Sequence, residues 1–592
     1  MGSVRGEYPR PDLLRERWLN LNGTWRFDFD DDDVGLGQRW FDNPAILKKA
    51  IQVPFAYQAK ASGIGDTTHH PVVWYAREVT IPESWRGKRV RLNFGAVDYE
   101  ATVWVNGVPA GFHQGGYVPF GLDVTPMLRD GSNWIVVRAV DQIRTDQPRG
   151  KQTARTGPWA CWYTAVTGIW QAVWMEPVDP VHILDVRLVP DIDAERLSIG
   201  VTLSQATEGL VLEAVATEEG REVARAEVTV APAYKRWSDL WPEPFVALSL
   251  PVPGCRLWSP ENPFVYDLAL KLRSGVRAVD DVRTYFGMRK VEARDGEVYL
   301  NNRPYYQRLV LDQGYWPEGL YTAPSAEAIR RDVELTKAMG FNGARKHQKI
   351  EDPYYSYYCD KLGLLTWVEM PSCYAYNEWG AERLRREWAE VVLRHRNHPS
   401  VIAWVLMNES WGADEFRQGS CAGAVAQVMS LYHQTYALDG TRLVVDNDGW
   451  QHAKTDMLTI HEYTQSAEDL RRRLSGFFAD RGAAVFSHGF PAVLPGFEGG
   501  GVPVLITEFG GTKVARPGSA SAGWGYGEEV AGSDELLARI GSLVDAILEF
   551  PGVAGYCYTQ LTDVEQEVNG LLTHDRDPKA PLAKLREVFR GR

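Results

Sequence analysis

From Val401 to Met407 the chain is apolar without interruption, bounded by Pro399-Ser400 before it and Asn408-Glu409 after it. An apolar run of this length, if it is a strand, is buried on both faces. Such strands belong to parallel sheets covered by helices, so this one stretch narrows the architecture to an α/β arrangement. A second run repeats the design, with Val502 to Ile506 followed by Thr507, Glu508, Phe509 and Gly510. Each strand delivers a carboxylate at its carboxyl end, and in a barrel of parallel strands that is the end where the loops converge on an open mouth.

The surrounding sequence supplies the other strands. Tyr305–Leu311, Gly343–Lys346, Leu364–Glu369, Arg442–Val445, Met457–His461 and Gly555–Tyr558 read as buried strands. Helical patterns alternate with them, including Ser325–Met339, capped by Ser325 and closed by Gly340, and Glu378–Arg396. With the two carboxylate-bearing runs this makes eight strands, so 287–592 is expected to form a (β/α)₈ barrel in which Glu409 ends the fourth strand and Glu508 the seventh.

Ahead of residue 287 the periodicity is two. Residues 1–180 hold short strands such as Trp25–Phe29, Val73–Val79, Val90–Phe94, Ala101–Val105, Ile135–Val140 and Gln171–Pro177. Asn106-Gly107 favours a tight hairpin, and an antiparallel β-sandwich of jelly-roll type is expected. Residues 181–286 suit an immunoglobulin-like β-sandwich and carry no chemical constellation. The whole chain is therefore read as multidomain. Between strands of the first domain, Asp146 to Trp162 is polar, basic and aromatic by turns, and we expect a long loop reaching toward the active site.

Composition limits the partners. A formal charge of −13, from 64 basic and 77 acidic residues without a basic tract, argues against a nucleic-acid partner. No apolar run reaches the length of a membrane span and residues 1–17 hold no secretory core, so no membrane association and a cytoplasmic location are expected. Cys161, Cys255, Cys359, Cys373, Cys421 and Cys557 lack metal-ligand spacing and read as reduced thiols. The 22 tryptophans fit both sugar stacking and β-domain cores.

The Asn408-Glu409 and Glu508-Phe509-Gly510 endings resemble glycoside hydrolase family 2, the family of β-galactosidases, β-glucuronidases and β-mannosidases. Asn22-Gly23-Thr24-Trp25, Trp104-Val105-Asn106-Gly107 and Thr167-Gly168-Ile169-Trp170-Gln171 look like markers of its amino-terminal sugar-binding domain. Asp280 to Lys290, ending Tyr285-Phe286-Gly287-Met288-Arg289-Lys290, resembles the passage into its catalytic domain. The resemblance implies a retaining hydrolase with Glu409 as general acid and base and Glu508 as nucleophile, acting on a carbohydrate without a cofactor. Acetal cleavage needs those two roles on opposite sides of the anomeric carbon, and mutual repulsion is expected to raise the proton affinity of one carboxyl. Arg345 resembles the arginine that bonds the nucleophile, Asn408 the residue that holds the 2-hydroxyl, and Tyr463 the tyrosine that orients the nucleophile.

Departures from the family pattern bear on the sugar. Gln348 stands where a histidine is usual, beside His347, and Asp312 and Gln313, which can still bond sugar hydroxyls, replace a familiar series after the first strand. Thr559 takes the place of an aromatic platform, with Gln560 next to it, so the wall of the subsite falls to Trp379, Trp411 or Trp450. Glu567-Val568-Asn569-Gly570 lacks the lysine of the uronate clasp, and Glu369-Met370-Pro371 lacks the histidine of the metal-bearing galactosidases, so no metal is expected. A neutral, β-galactoside-like sugar is favoured and a furanoside (galactofuranose or arabinofuranose) is the runner-up, with a glucuronide below it. A carbohydrate-binding protein without turnover is the alternative from another class. Ser487–Gly501 and Thr512–Asp534 are candidate rim loops, and a homo-oligomer is compatible with the sequence.

Overall fold

The computed structural model describes residues 5–205, 207–230, 244–413, 422–481, 488–497, 499–515 and 523–591. Two compact units emerge: one from 1–142, 167–290 and 395–399, the other from 143–166, 291–394 and 400–592.

The first unit is antiparallel β throughout. Its amino-terminal part pairs Gly23–Phe29, Val72–Thr80, Ser132–Val140 and Glu100–Val105 within a six-stranded sheet, and Arg89–Phe94 with Val173–Val178 in a four-stranded one. Alternate residues such as Trp25, Phe27, Val73, Tyr75 and Ile135 bury between them. The predicted hairpin is present: Val105 pairs with Val108, and Asn106 and Gly107 both take positive φ, 53° and 79°. That left-handed pair is what a two-residue turn between twisted strands demands. The second part stacks a three-stranded sheet (Ile183–Asp191, Arg196–Leu203, Phe245–Pro251) against a four-stranded one. Arg277–Phe286 is a full strand of that four-stranded sheet, where the sequence reading had a connecting passage.

The second unit holds a small antiparallel sheet over 291–304 and is built around an eight-stranded, wholly parallel one. In chain order its strands are β1 (Gln307–Asp312), β2 (Gly343–Lys346), β3 (Leu365–Glu369), β4 (Val401–Val405), β5 (Leu443–Val445), β6 (Leu458–His461), β7 (Val504–Gly510) and β8 (Val553–Thr559). The ladder runs β5-β4-β3-β2-β1-β8-β7-β6, the cyclic order of a (β/α)₈ barrel with β5 and β6 at its two ends. Every residue of β4 and β7 is buried, as a strand lined by helices outside and packed side chains inside must be. Helix α1 (Ala326–Ala338) begins where Ser325 accepts a hydrogen bond from the Ala328 N–H at 3.1 Å, the cap anticipated from its sequence. Among the described residues no helix is long and apolar enough to cross a membrane.

Residues 143–166 belong with the barrel. The Arg149 and Gly150 N–H groups donate to the Ser372 carbonyl at 3.0 and 3.2 Å, and the Tyr374 N–H donates to Thr145 O at 2.7 Å. Asp146 pairs with Arg383 at 3.0 Å. The expected long loop is therefore anchored over the strand ends. Of the candidate rim loops, residues 487, 498 and 516–522 lie outside the described residues, as does Cys421.

Candidate active site

Four carboxylates and two cationic side chains meet at the carboxyl ends of β2 to β7. Arg345, on β2 and fully buried, is the hub. Its Nε donates to Glu369 Oε2 at 2.7 Å, Nη1 lies 2.9 Å from both Glu508 Oε1 and Asp448 Oδ2, and Nη2 donates to Asn408 Oδ1 at 2.7 Å. A guanidinium carries five donors in a fixed plane, so it can fix several strand ends against one another at once. Glu508 accepts on its second oxygen from the Tyr463 hydroxyl, which also lies 3.1 Å from Thr559 Oγ1. The Tyr463 ring stacks on Tyr526 at 3.6 Å between centroids, which holds the phenol in place.

Glu409 sits where the backbone turns sharply. Glu409 and Ser410 have φ of 52° and 58°, a left-handed pair that residues bearing a Cβ adopt at a cost. Neighbouring hydrogen bonds hold it: Glu409 N–H to Asp448 O at 2.9 Å, Ser410 N–H to Asn447 Oδ1 at 2.8 Å and Ser410 Oγ with Gln451 Oε1 at 2.7 Å. The carboxylate receives the indole N–H of Trp411 at 3.2 Å on Oε2.

His461, the last residue of β6, lies between the two glutamates. Nδ1 is 2.8 Å from Glu409 Oε1 and 3.5 Å from Glu508 Oε2, and Nε2 is 3.1 Å from Asp448 Oδ2. One oxygen of each glutamate and a ring nitrogen thus all lie within 4.8 Å of one another. A carboxylate facing each ring nitrogen is satisfied only if both nitrogens carry a proton. Burial opposes that charge, but Glu508, Asp448 and Glu409 outweigh it and push the imidazole up to about 10. Burial alone would raise Glu409, yet the hydrogen bond and charge of His461 bring it below the usual carboxylate range. Glu508 is likewise held low against its burial, by His461 and Arg345. Mutual repulsion was expected to raise one of the two; an imidazolium between them reverses that sign.

The other candidates fall into groups. Asn408 forms a backbone bridge with Asp448, and its side-chain oxygen accepts from Arg345. Glu369 Oε1 lies 2.9 Å from His347 Nδ1 without a hydrogen bond, Nδ1 being paired with Arg345 Nη2 at 3.0 Å, and burial, working against the Arg345 charge, pushes the Glu369 carboxyl up to about 7. Asp312 is committed to Lys346 at 2.7 Å and to the Gly314 N–H at 2.9 Å. Gln313 is buried with its carbonyl oxygen lacking a partner, and so is the Gln348 amide nitrogen, whose oxygen accepts from Ser372 N–H. Gln560 donates to Asn569 at 2.7 Å, Asn569 to Glu567 at 3.0 Å, and the Tyr163 hydroxyl to the other Glu567 oxygen at 2.6 Å. Of the three tryptophans offered as a wall, Trp379 is 69% exposed, Trp450 packs edge-on to His461, and Trp411 meets Trp162 edge-on at 5.0 Å.

Sequence reasoning passed over His461, Asp448, Tyr526, Tyr163 and Lys151. The first two follow the rule that found Glu409, since each is a polar residue at or just past the carboxyl end of a buried strand. Lys151 comes from the 143–166 loop and is buried, with its ammonium hydrogen-bonded to the Cys161 sulfur and its charge felt by Glu567, Glu508 and Glu409.

Comparison with known proteins gives one consistent result. Residues 18–148 match the glycosyl hydrolases family 2 sugar-binding domain, 181–289 the family 2 middle domain, and 291–524 the family 2 TIM-barrel domain. A putative β-glucuronidase of Formosa agariphila is 28% identical over 68% of this chain, and a β-galactosidase of Thermoanaerobacter pseudethanolicus 26% identical over 67%. The chain spans about half the length of these two, 47% and 52%. A β-glucuronidase of Paenibacillus borealis is 24% identical over 98% of both chains. The fold is shared with the β-glucuronidase of Ruminococcus gnavus solved with D-glucuronic acid, at a TM-score of 0.77, 18% identity and 99% coverage of each chain. With all three of its segments matched in order, the chain belongs to glycoside hydrolase family 2.

Proposed function

We propose that this chain is a retaining glycoside hydrolase that releases a terminal sugar by double displacement. Glu508 attacks the anomeric carbon and Glu409 serves the departing oxygen. The observation that carries this reading is the spacing: the facing oxygens of Glu409 and Glu508 lie within 4.8 Å. Retaining enzymes hold their carboxyls about 5 Å apart, whereas inversion needs a wider gap that admits a water. Arg345 and Tyr463 each bond one Glu508 oxygen, which keeps it ionised and aimed. The anomer first released from a nitrophenyl glycoside, followed by NMR, tests the mechanism; initial inversion would overturn it.

For the sugar we favour a neutral, β-galactoside-like residue. Glu567 adds a buried carboxylate beyond the four around Arg345, within reach of the Lys151 and Glu508 charges, and the residues after Asn569 are Gly570 and Leu571 rather than a lysine clasp. A β-glucuronide is the second reading, because Lys151 brings a buried ammonium to the site and three of the four proteins named above are β-glucuronidases or putative ones. A panel of nitrophenyl galactopyranoside, galactofuranoside, arabinofuranoside and glucuronide decides. Dominant release from the glucuronide, with a raised KM in Lys151→Met, would replace the first reading with the second.

A further inference from the structure

The reading above leaves one step short of a proton. A general acid must carry a proton when the substrate arrives, yet Glu409 accepts from two donors, His461 Nδ1 and Trp411 Nε1. Both contacts favour the ionised carboxylate. The proton sits one atom away, on a ring with a carboxylate at each nitrogen. Beyond the ring, Asp448 is fixed by Arg345 at 2.9 Å and by the Thr507 hydroxyl at 2.8 Å, so the Asp448–His461–Glu409 chain is anchored at its far end. Space for the ring is provided by Gly449, where φ is 107° and a Cβ would lie 2.7 Å from His461 Nδ1.

We propose that His461 stores the proton that Glu409 hands to the departing oxygen, so that the general acid is a Glu409–His461 pair rather than Glu409 alone. In the first half-reaction Glu508 bonds to the anomeric carbon and the glycosidic C–O bond breaks. Glu409 first takes the Nδ1 proton and then passes it to the leaving oxygen, which leaves Glu409 ionised and a neutral ring with its remaining proton on Nε2 toward Asp448. In the second half a water oxygen bonds to the anomeric carbon, the ester bond to Glu508 breaks, and the water's proton passes through Glu409 back to Nδ1. Proton and charge balance over the cycle. The charged groups facing the pair are Asp448 after β5, Glu508 on β7, Arg345 on β2, Lys151 from the 143–166 loop and His488, whose charge also acts on Glu409. His461 acts through Glu409 and is a positioning and proton-holding residue.

This inference rests on the proposed hydrolase activity, so its test has one arm that needs no turnover. Histidine-selective ¹⁵N NMR of the wild-type enzyme, with the His461 signal identified by its loss in His461→Asn, should show both ring nitrogens protonated at about pH 8, well above the ordinary histidine range. A neutral His461 there overturns the proposal whatever the substrate. The second arm compares His461→Asn with wild type on an alkyl glycoside, which needs a proton to leave, and on a dinitrophenyl glycoside, which does not. The alkaline limb of kcat/KM for the alkyl glycoside should move down by about two pH units, because the proton must then sit on Glu409 itself. The dinitrophenyl limb should not follow it. Equal losses on both substrates with unmoved limbs would assign His461 a purely structural role. A wild type inactive on every glycoside would refute the hydrolase reading and leave the NMR arm standing.

Discussion

Two clusters of buried charge lie at the carboxyl ends of neighbouring strands in the same barrel, and they behave differently. Around β1 and β2, Lys346 Nζ lies 2.7 Å from both Asp312 Oδ2 and Glu351 Oε2, while Lys349 Nζ is 2.9 Å from Glu351 and also donates to the carbonyls of Gly314 and Tyr321. Two cations meet two carboxylates there. Burial would raise Glu351, but both lysines bring it down to about 2. Around Arg345, four carboxyl groups (Glu369, Glu409, Asp448, Glu508) share one guanidinium and two imidazoles, His347 and His461. The two glutamates keep some access, 15% and 7% of their side chains. Arg345 and Lys346 are adjacent on β2, and because consecutive side chains leave a strand in opposite directions, one residue step separates the two clusters. The balanced cluster is a structural brace; the acidic excess beside it is what a substrate with developing positive charge can use.

The contrast can be broken most severely at Glu508. Glu508→Gln should lower kcat by about 10⁴-fold or more, since no other group can form the covalent bond, while the folded state persists. Retained turnover would remove Glu508 from the mechanism. Next in size, Lys346→Met leaves Asp312 and Glu351 facing each other with Lys349 alone, and should cost roughly 3–5 kcal/mol in denaturant unfolding while kcat per folded molecule stays within about threefold. If activity fell and stability did not, the brace would belong to the active site. Tyr463→Phe removes one hydrogen bond to an ionised Glu508 and should reduce kcat by roughly 10- to 100-fold with little change in KM. The smallest effects, at most about 1.4 kcal/mol for each pH unit, lie in the pH dependence of stability. His461 is raised from 6.5 to about 10, so its contribution is complete below the unfolded value and is lost as pH rises through about 10. Lys349 is depressed by burial from 10.5 to about 8, so its contribution is present above the unfolded value and is lost as pH falls through about 8. His461→Asn should flatten the falling slope and Lys349→Met the rising one; identical slopes in both variants would erase the distinction.

The barrel was legible because its strands are apolar without interruption. The expected Gly343–Lys346 coincides with β2, and the predicted Leu364–Glu369 and Met457–His461 exceed β3 and β6 by one residue each. Glu409 and Glu508 stood out for the same reason, as charges ending apolar runs. His461 was read as the last residue of the sixth strand but given no role, because nothing in the sequence says which carboxylates its ring faces, and Asp448 lies three residues past the end of β5, where it looks like part of a loop. The direction of the Glu409 shift could not be read at all, since it depends on a ring 52 positions away in the chain. Asp312 looked like a sugar ligand from its position, and only its neighbour on the next strand, Lys346, shows where its charge is spent. Arg277–Phe286 was missed as a strand because its alternation is broken by the Asp280-Asp281 pair, where the register against its partner also slips.

Gly449 ties two distant letters of the sequence together. With a Cβ at that turn only 2.7 Å from the imidazole, Gly449 cannot gain a side chain while His461 stays, whereas a smaller residue at 461 leaves the glycine undisturbed. Descendants of this chain that keep the histidine should therefore keep the glycine, and a side chain at 449 should arise only where the histidine has already gone.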